Sequence, residues 1–261
     1  MLSEGLMMSP LSLVLSFGLI IIALVLGYKE KLALNKEMLV SVLRMVVQLF
    51  VAGFVLTYIF KWDRWWVTIF AILFISLNAA YAASKRGKNF HQPLKIAVLA
   101  TLASTLVALG ILVLSGAIKF TPAQIIPITG MVAGNSMKII GLTFRNIQTL
   151  FRDQRQLVEE KLALGATMKQ ASQSIIKESI QASIQPTIDS VKTVGLVLLP
   201  GMMTGMMLAG SMPINAILYQ IVAYFMLMAT ATITAIIVAY LAYQDLFDSQ
   251  GRLVRAERNA E

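Results

Sequence analysis

The sequence predicts an all-α membrane protein, a polytopic helical bundle with about seven transmembrane helices. The chain is 57% hydrophobic and only 13% charged, with a mean hydropathy of +0.75, whereas soluble domains carry about 25% charged residues. Apolar stretches of about 20 residues, the length that crosses a bilayer, recur along the chain with few or no charges. The sequence therefore predicts that lipid surrounds most of the chain. Residues 1–261 are expected to form a single transmembrane domain.

Seven stretches qualify as spans. They lie near residues 8–28, 38–60, 65–84, 96–118, 120–144, 191–211 and 213–244. The last two are divided at the segment Gly210-Ser211-Met212-Pro213, because proline does not continue a helix. The first stretch has an acidic flank and no small-residue cleavage site, so it is interpreted as a true span and not as a signal peptide.

The distribution of Lys and Arg predicts that the N-terminus is outside and the C-terminus is inside. In this orientation 16 of these residues lie in cytoplasmic segments and 3 in outer loops, as the positive-inside rule requires. The same rule accounts for the net charge of +9 without a nucleic-acid partner. Trp62, Trp65 and Trp66 cluster at a predicted outer boundary, which is typical of an aromatic belt. The predicted location is the inner (plasma) membrane.

Residues 145–190 form the one long cytoplasmic segment of this prediction. Its apolar positions recur mostly at spacings of three and four, which predicts a helix; they are Leu157, Leu164, Met168, Ala171 and Ile175. Gly165 interrupts the pattern, and Thr167 with Gln170 matches a capping box that starts a second helix, expected to run until Pro186. The residues alone leave two roles open: a helix lying on lipid headgroups, or a short helix presented to a cytosolic partner.

The chain has no recognisable catalytic apparatus. It contains no Walker A pattern, no nucleophile elbow and no zinc-type spacing. It also has no cysteine and a single histidine, His91. The sequence therefore predicts that the chain is not an enzyme and holds no cofactor of its own. If the chain pumps its substrate, ATP and Mg must be bound by a separate ATPase that docks on the cytoplasmic side.

Several polar residues in or near the spans are candidates for a substrate pathway, each with a structural alternative that we favour. Arg44 and Gln48 share a helix face, but Arg44 lies close enough to the inner boundary to snorkel or form a structural pair. Asn135 follows a Gly-x-x-x-Gly pattern, which favours a hydrogen bond between packed helices, and the same role is favoured for Asn78. Asp189 and Lys192 are three residues apart, which favours an ion pair at the boundary of span six over a gate.

The methionines are the most distinctive feature of the composition. There are 15, and four of them cluster in span six: Met202, Met203, Met206 and Met207. Thioether sulfur suits soft ions such as Cu(I), whereas Fe(II) prefers nitrogen and oxygen ligands. Methionine is also a flexible filler of apolar gaps, and we favour that role. Any transported metal would depend on Met, Asp, Asn and carbonyl groups, and the sequence singles out no fixed set of metal ligands.

The helix–break–helix segment resembles the EAA loop of ABC-transporter permeases. The matching sequence is Val158-Glu159-Glu160-Lys161-Leu162-Ala163-Leu164-Gly165-Ala166-Thr167. Glu159, Gly165 and Ile175 fall at the spacings of that loop, while Glu160-Lys161 and Lys177-Glu178 depart from it. The resemblance implies that the ATPase-coupling residues are Glu159, Glu160, Leu164, Gly165, Ala166, Thr167 and Met168.

Further motifs resemble one family over nearly the whole chain, the FetB-type ABC permeases. They are Glu30-Lys31-Leu32-Ala33-Leu34 with Arg44 and Gln48, Asn78-Ala79-Ala80-Tyr81, Gly130 to Asn135, Asp189 to Leu196, and Pro200 to Met203. The resemblance implies iron export by a homodimer of permeases working with two copies of a separate ATPase; plant relatives are linked to aluminium tolerance. Two alternatives remain: an ABC permease for another metal, a metal chelate or a small organic solute, and a secondary transporter or channel without an ATPase.

Overall fold

The computed structural model describes residues 10–31, 35–62, 64–248 and 250–253. They belong to two compact units, of which the first ends at Trp62. The described residues form α-helices, two short 3₁₀ turns and isolated bridges but no β-sheet, so the predicted all-α class is confirmed. Residues 8–9 of the first predicted span and residues 32–34 of one family motif lie outside the described residues.

The first unit contains three helices. They are α1 (Pro10–Ser16), α2 (Gly18–Lys29) and α3 (Asn35–Trp62). Helices α1 and α2 cover the described part of the first predicted span and meet at Phe17, next to Gly18, where a glycine lowers helix propensity. With 28 residues, α3 is about 42 Å long at 1.5 Å per residue, and it extends the second predicted span at both ends.

The second unit contains seven helices in its described residues. They are α4 (Trp65–Ser84), α5 (Pro93–Leu114), α6 (Pro122–Asp153), α7 (Arg155–Ala163), α8 (Met168–Thr193), α9 (Gly201–Leu208) and α10 (Pro213–Ala242). Helix α4 coincides with the third predicted span, and α10 begins at the predicted Pro213. Helix α6 runs nine residues past its predicted end; with 32 residues it is about 48 Å long and exceeds a bilayer core of about 30 Å.

Across both units, five helices of the described residues are long and apolar enough to cross a membrane, namely α3, α4, α5, α6 and α10. The sixth predicted span differs from the prediction. Helix α8 ends at Thr193, residues 194–200 are not helical, and α9 has only eight residues. Gly195 adopts a φ of 85°, and Pro200, which lacks an amide hydrogen, precedes α9 as its N-cap. The apolar composition predicts a continuous helix over the sixth span, but Gly195 and Pro200 interrupt that helix.

The helices of the second unit pack around three apolar clusters. The largest lies at the end of the bundle where α6 ends, and it joins α4, α5, α6, α7, α8 and α10 through residues such as Phe144, Ile147 and Ile175. A second cluster around Ile125 and Met226 lies toward the opposite end. Between them, Ile139, Ala231 and Ala235 form a small third cluster, against which Ile180 and Ile184 of α8 pack.

Helix α8 forms most of the second half of the predicted segment 145–190. Ile180 and Ile184 in its second half pack against α6 and α10. Helix α8 also continues through Pro186 to Thr193, where the prediction ends the helix. The buried neighbours Ser179 and Ser183 hold this part of the helix against the bundle, so packing outweighs the one backbone hydrogen bond that proline removes.

Candidate functional site

The candidate site is the tight turn between α7 and α8, residues Leu164 to Thr167, which we call the coupling turn. Helix α7 ends in a Schellman motif: the Ala166 amide donates to the Lys161 carbonyl at 3.0 Å, and the Gly165 amide donates to the Leu162 carbonyl at 3.0 Å. This geometry places Gly165 in the left-handed region, with a φ of 87°. The predicted break at Gly165-Ala166 is confirmed.

Helix α8 starts with the capping box that the sequence predicts. The Thr167 hydroxyl oxygen accepts a hydrogen bond from the Gln170 amide at 3.3 Å, and the Gln170 side chain accepts one from the Thr167 amide at 2.9 Å. A capping residue of this kind contributes about 1 kcal/mol to helix stability. The coupling turn is therefore fixed on both sides by local hydrogen bonds, and its conformation does not depend on a partner.

The coupling turn presents apolar side chains to the surface while its flanks are anchored in the core. Val158 of α7 and Ala171 and Ile175 of α8 are fully buried. Leu164, at the tip, is 88% exposed, and Leu157 and Met168 beside it are 43% and 42% exposed. Two anchored helices thus display a small apolar surface that nothing in the described chain covers. This arrangement suits a short rigid element that inserts into a groove of another protein.

Polar side chains surround this apolar surface. Arg155 Nε donates to Glu159 Oε1 at 2.7 Å, and Gln156 Nε2 donates to Glu160 Oε1 at 2.9 Å. Lys161 Nζ lies 3.4 Å from the Ser174 hydroxyl. Exposed pairs such as these contribute about 0–1 kcal/mol each, so they do little for stability. They leave a solvated rim of mixed charge around Leu164.

The C-terminal segment, residues 247–248 and 250–253, packs beside α7, a feature that sequence reasoning missed. Phe247 and Leu253 form an isolated antiparallel bridge, and the Asp248 carboxylate accepts the amides of Gln250 and Arg252 at 2.8 Å each. Arg155 Nη2 donates to the Leu253 carbonyl at 3.4 Å. Aspartate followed three residues later by Gly251 is a turn signal that predicts the loop but not its long-range contact.

A groove runs between this C-terminal segment and the coupling turn. Its volume is about 490 Å³, and its lining residues are Glu159, Leu162, Ala166, Met168, Gln250, Gly251, Arg252 and Leu253. Four of the lining residues belong to the predicted coupling segment and four to the C-terminal segment. The groove therefore brings part of the predicted coupling segment next to a part of the chain that the sequence did not connect with it.

The coupling turn is linked directly to the bundle. Helix α7 follows α6 after the single residue Gln154, whose side chain donates to Glu178 of α8 at 3.1 Å. Beyond the turn, Asn146 of α6 donates to the Ser183 hydroxyl of α8 at 3.2 Å. A displacement of the turn would therefore move α6 and α8 together, which is the mechanical requirement for coupling.

The Asn135 candidate belongs to a polar seam between helices. Its side-chain amide donates to the Leu227 carbonyl of α10 at 3.1 Å, the interhelical role that the sequence favours. The seam continues through hydroxyl groups that the sequence analysis overlooked. Ser136 pairs with Ser104 of α5 at 3.0 Å and with Thr234 of α10 at 3.2 Å. Small polar residues inside spans are the signal that could have found them.

The other polar residues that the sequence singles out lie on α3, α4 and α8. Arg44 and Gln48 are exposed on one face of α3 in the first unit. Asp189 Oδ1 lies 3.8 Å from Lys192 Nζ on α8 and accepts a hydrogen bond from Gln185 at 2.8 Å, so the predicted ion pair forms. Asn78, predicted to bond between helices, instead donates to the Phe74 carbonyl of its own helix at 2.8 Å.

The methionine cluster lies on α9, where Met203 is buried and Met202, Met206 and Met207 are half-buried. We expect transport to survive when all four are changed to Leu, since such volume-conserving changes cost less than about 1.5 kcal/mol each. The measurement is substrate efflux from cells that make equal amounts of the wild-type and fourfold variant. Loss of efflux at normal protein level would identify the sulfur atoms as ligands.

Comparison with known proteins gives a consistent result over almost the whole chain. Residues 10–247 match the family described as "Uncharacterised protein family (UPF0014)". The chain is 46% identical over 243 residues to the "Probable iron export permease protein FetB" of Escherichia coli K12, covering 93% of this chain and 94% of that protein.

Two other relatives extend this comparison. The chain is 40% identical over 228 residues to "Protein ALUMINUM SENSITIVE 3" of Arabidopsis thaliana, covering 87% and 84% of the two chains. It is 37% identical over 253 residues to the "UPF0014 membrane protein YjkA" of Bacillus subtilis 168, covering 96% and 100%. No solved structure matches the chain.

Proposed function

Because the chain belongs to the UPF0014 family of membrane proteins, we propose that it is the permease subunit of an ABC transporter that exports iron. The observation that carries the ABC assignment is the coupling turn, a hydrogen-bonded helix–turn–helix that exposes Leu164 while both of its helices are anchored in the bundle. A rigid exposed turn of this kind favours an ATPase-driven permease over a secondary transporter.

In this proposal a separate ATPase binds ATP and Mg and docks at the coupling turn. Hydrolysis moves the ATPase, and the turn transmits the motion because side-chain hydrogen bonds join α8 to α6 and to Gln154, the residue that links α6 to α7. The permease itself is not an enzyme; it provides the path for the substrate. Two copies of the chain and two copies of the ATPase make up the transporter that the family resemblance implies.

Iron is proposed as substrate because of the name of the Escherichia coli relative. The name of the Arabidopsis relative, which refers to aluminium, keeps a second candidate, export of another metal or its chelate. Both candidates use the same coupling turn and the same ATPase. They differ only in the solute that accumulates when the chain is missing.

We expect cells that lack this chain to retain more iron under iron load and to become more sensitive to peroxide, because retained Fe(II) reacts with peroxide. The measurement is the metal content of washed cells by elemental mass spectrometry, together with survival after peroxide treatment. Wild-type chain supplied in trans should restore both values. A Leu164→Asp variant, made at the same level, should restore neither, because it lacks ATPase coupling.

Unchanged iron with a rise in another metal would contradict iron export and support the second candidate. Equal rescue by wild-type and Leu164→Asp chains would contradict the ABC mechanism, whatever the metal.

A further inference from the structure

A layer of hydroxyl groups crosses the middle of the second unit, where α4, α5, α6 and α10 pack together. We call it the polar layer. All of its side chains are uncharged and fully buried, so the unit itself covers them. Its residues are Ser76, Thr101, Ser104, Thr105, Ser136 and Thr234.

The polar layer lies between the largest apolar cluster and the second one. On α5, residues 101–105 lie between Ala100 of the largest cluster and Ala108 of the second. The other three helices show the same order, with Ser76 between Ile72 and Ala80, Ser136 between Val132 and Ile140, and Thr234 between Met226 and Val238. These four helices are long and apolar enough to cross a membrane, so the layer lies near the middle of the bilayer, with an apolar cluster on each side.

Half of the hydroxyl groups in the polar layer have no hydrogen-bond partner in the part of the chain that the structure describes. They belong to Ser76, Thr101 and Thr105, and they make up three of the six buried side-chain oxygens of this kind among the described residues. Thr101 and Thr105 lie one turn apart on the face of α5 that carries Ser104. The Ser104 hydroxyl lies 3.0 Å from that of Ser136 on α6, so this face of α5 is turned into the layer.

Threonines beside the apolar clusters are satisfied by their own helix. On α6, Thr129 donates to the Ile125 carbonyl and Thr143 to the Ile139 carbonyl, both at 2.8 Å. A buried hydroxyl without a partner costs free energy, because it loses water and gains nothing in exchange. A seam that served only to hold helices together would gain stability by pairing these groups. The unpaired hydroxyls therefore point to a ligand that reaches the layer when the helices move apart.

We propose that the polar layer is the midpoint of a transport path inside each copy of the chain, where a hydrated divalent metal cation rests between two apolar gates. The path rests on the proposed function. Hydroxyl oxygens accept hydrogen bonds from the water ligands of such a cation, and oxygen is a ligand that Fe(II) prefers. The layer carries no carboxylate, so the contact is weak enough for the ion to leave, and apolar constrictions on either side close the path by excluding water.

Helix α6 joins the polar layer to the coupling turn. It carries Ser136 and continues to Asp153, and the single residue Gln154 separates it from α7. A displacement of the turn that moves α6 separates Ser136 from Ser104 of α5. Motion of the ATPase thereby admits water and the cation to the layer.

The chain has no cysteine, so one introduced thiol reports on the polar layer. Thr105→Cys places it there. Ala231→Cys is the matched control, because Ala231 is equally buried and lies in the third apolar cluster, at the level of the layer. Membranes from disrupted cells are treated with a small charged methanethiosulfonate reagent, with and without ATP and Mg. Such a reagent travels through water and reacts with the thiolate.

We expect ATP to speed modification of Thr105→Cys by about tenfold or more, because a conformation populated at about 0.1–10% becomes a major one. Ala231→Cys should not respond to ATP. Adding Leu164→Asp to Thr105→Cys should abolish the ATP effect, since that change uncouples the ATPase. Thr101→Cys and Ser76→Cys repeat the measurement should Thr105→Cys not accumulate in membranes.

A second measurement separates a site in the path from a purely structural seam. The double variant Thr101→Val with Thr105→Val should lose metal efflux without losing thermal stability in detergent, because its hydroxyls have no partner to give up. Thr105→Ser should retain efflux. Thr129→Val, the control, removes a hydrogen bond outside the layer and should lower stability while leaving efflux normal.

The inference is overturned if Thr105→Cys reacts no faster than Ala231→Cys in the presence of ATP, or if the double valine variant exports metal normally; either result would leave the proposed function standing. ATP-driven modification of Thr105→Cys in cells that export a metal other than iron would keep the polar layer and refute iron as the substrate. Modification that persists unchanged in the Leu164→Asp background would keep the layer and refute the ABC mechanism.

Discussion

Leu164→Asp is expected to abolish docking of the ATPase while leaving the helices inserted. Leu164 is 88% exposed, so in the permease alone the substitution removes almost no packing. In the complex the same side chain would be buried, and burial of a leucine contributes about 1.5–3 kcal/mol. Each 1.4 kcal/mol is about tenfold in affinity, so binding should weaken by at least about tenfold, and further because a carboxylate would enter an apolar groove. The measurement is co-purification of the ATPase with the permease from membranes.

Two variants control for this result. Leu164→Met keeps an apolar side chain at the tip and should retain docking. Gln173→Asp places the same charge on an exposed position of α8 outside the coupling turn, and should not affect docking. Substrate-stimulated ATP hydrolysis in membranes should follow the same order. Full docking and full hydrolysis with Leu164→Asp would remove the coupling turn from its proposed role.

The coupling turn is the part of the molecule that the sequence predicts most closely, because its determinants are local. A glycine in the left-handed region ends α7, and a threonine with a glutamine three residues later starts α8. Both signals act within one turn of the chain. What the local pattern misses is which side chains are buried: Val158 anchors α7, whereas the predicted face residue Leu157 is exposed.

The predicted spans differ from the observed helices where an apolar stretch does not form a continuous helix, or where a polar stretch does. Residues 191–211 are apolar enough to cross a bilayer, but composition does not reveal that Gly195 and Pro200 interrupt the helix. Conversely, α8 has too many polar residues for a hydropathy pattern to place it in the bundle. Its position there depends on Ile180 and Ile184 packing against Ile139 and two alanines of α10, which is long-range information.

Two hydrogen bonds described above cannot be predicted from the sequence, because each joins residues that are far apart in the chain. The pairing of Arg155 with the Leu253 carbonyl joins residues 98 positions apart, and the hydroxyl pair of Ser136 and Thr234 is equally distant in sequence. No periodic pattern encodes such pairs. Asn135 was found because its Gly-x-x-x-Gly neighbourhood is a local signal for close helix packing, and its partner Leu227 could not be named.

Gly165→Val is expected to uncouple the transporter through the backbone and not through a steric clash. Gly165 has a φ of 87°, and a Cβ added there would meet nothing within 4 Å. A β-branched residue in the left-handed region costs about 1–3 kcal/mol, which is enough to offset the hydrogen bonds that form the turn, at about 0.5–1.5 kcal/mol each. The end of α7 should therefore rearrange, and Leu164 should leave the position from which it contacts the ATPase.

The Gly165→Asn variant tests whether coupling needs the left-handed backbone conformation or needs a residue without a side chain. Asparagine adopts the left-handed conformation more readily than other residues with a Cβ, so this variant should retain most of the docking and substrate-stimulated ATP hydrolysis that Gly165→Val loses. The spans should insert equally in both, since the coupling turn lies outside the apolar helices, and equal protein levels in membranes would verify this.

Equal coupling in the Val and Asn variants would mean that the left-handed turn has no part in transmitting the motion of the ATPase. Loss in both would show that glycine is needed for close approach of the partner, and would assign the contact to the Gly165 backbone instead of the Leu164 side chain.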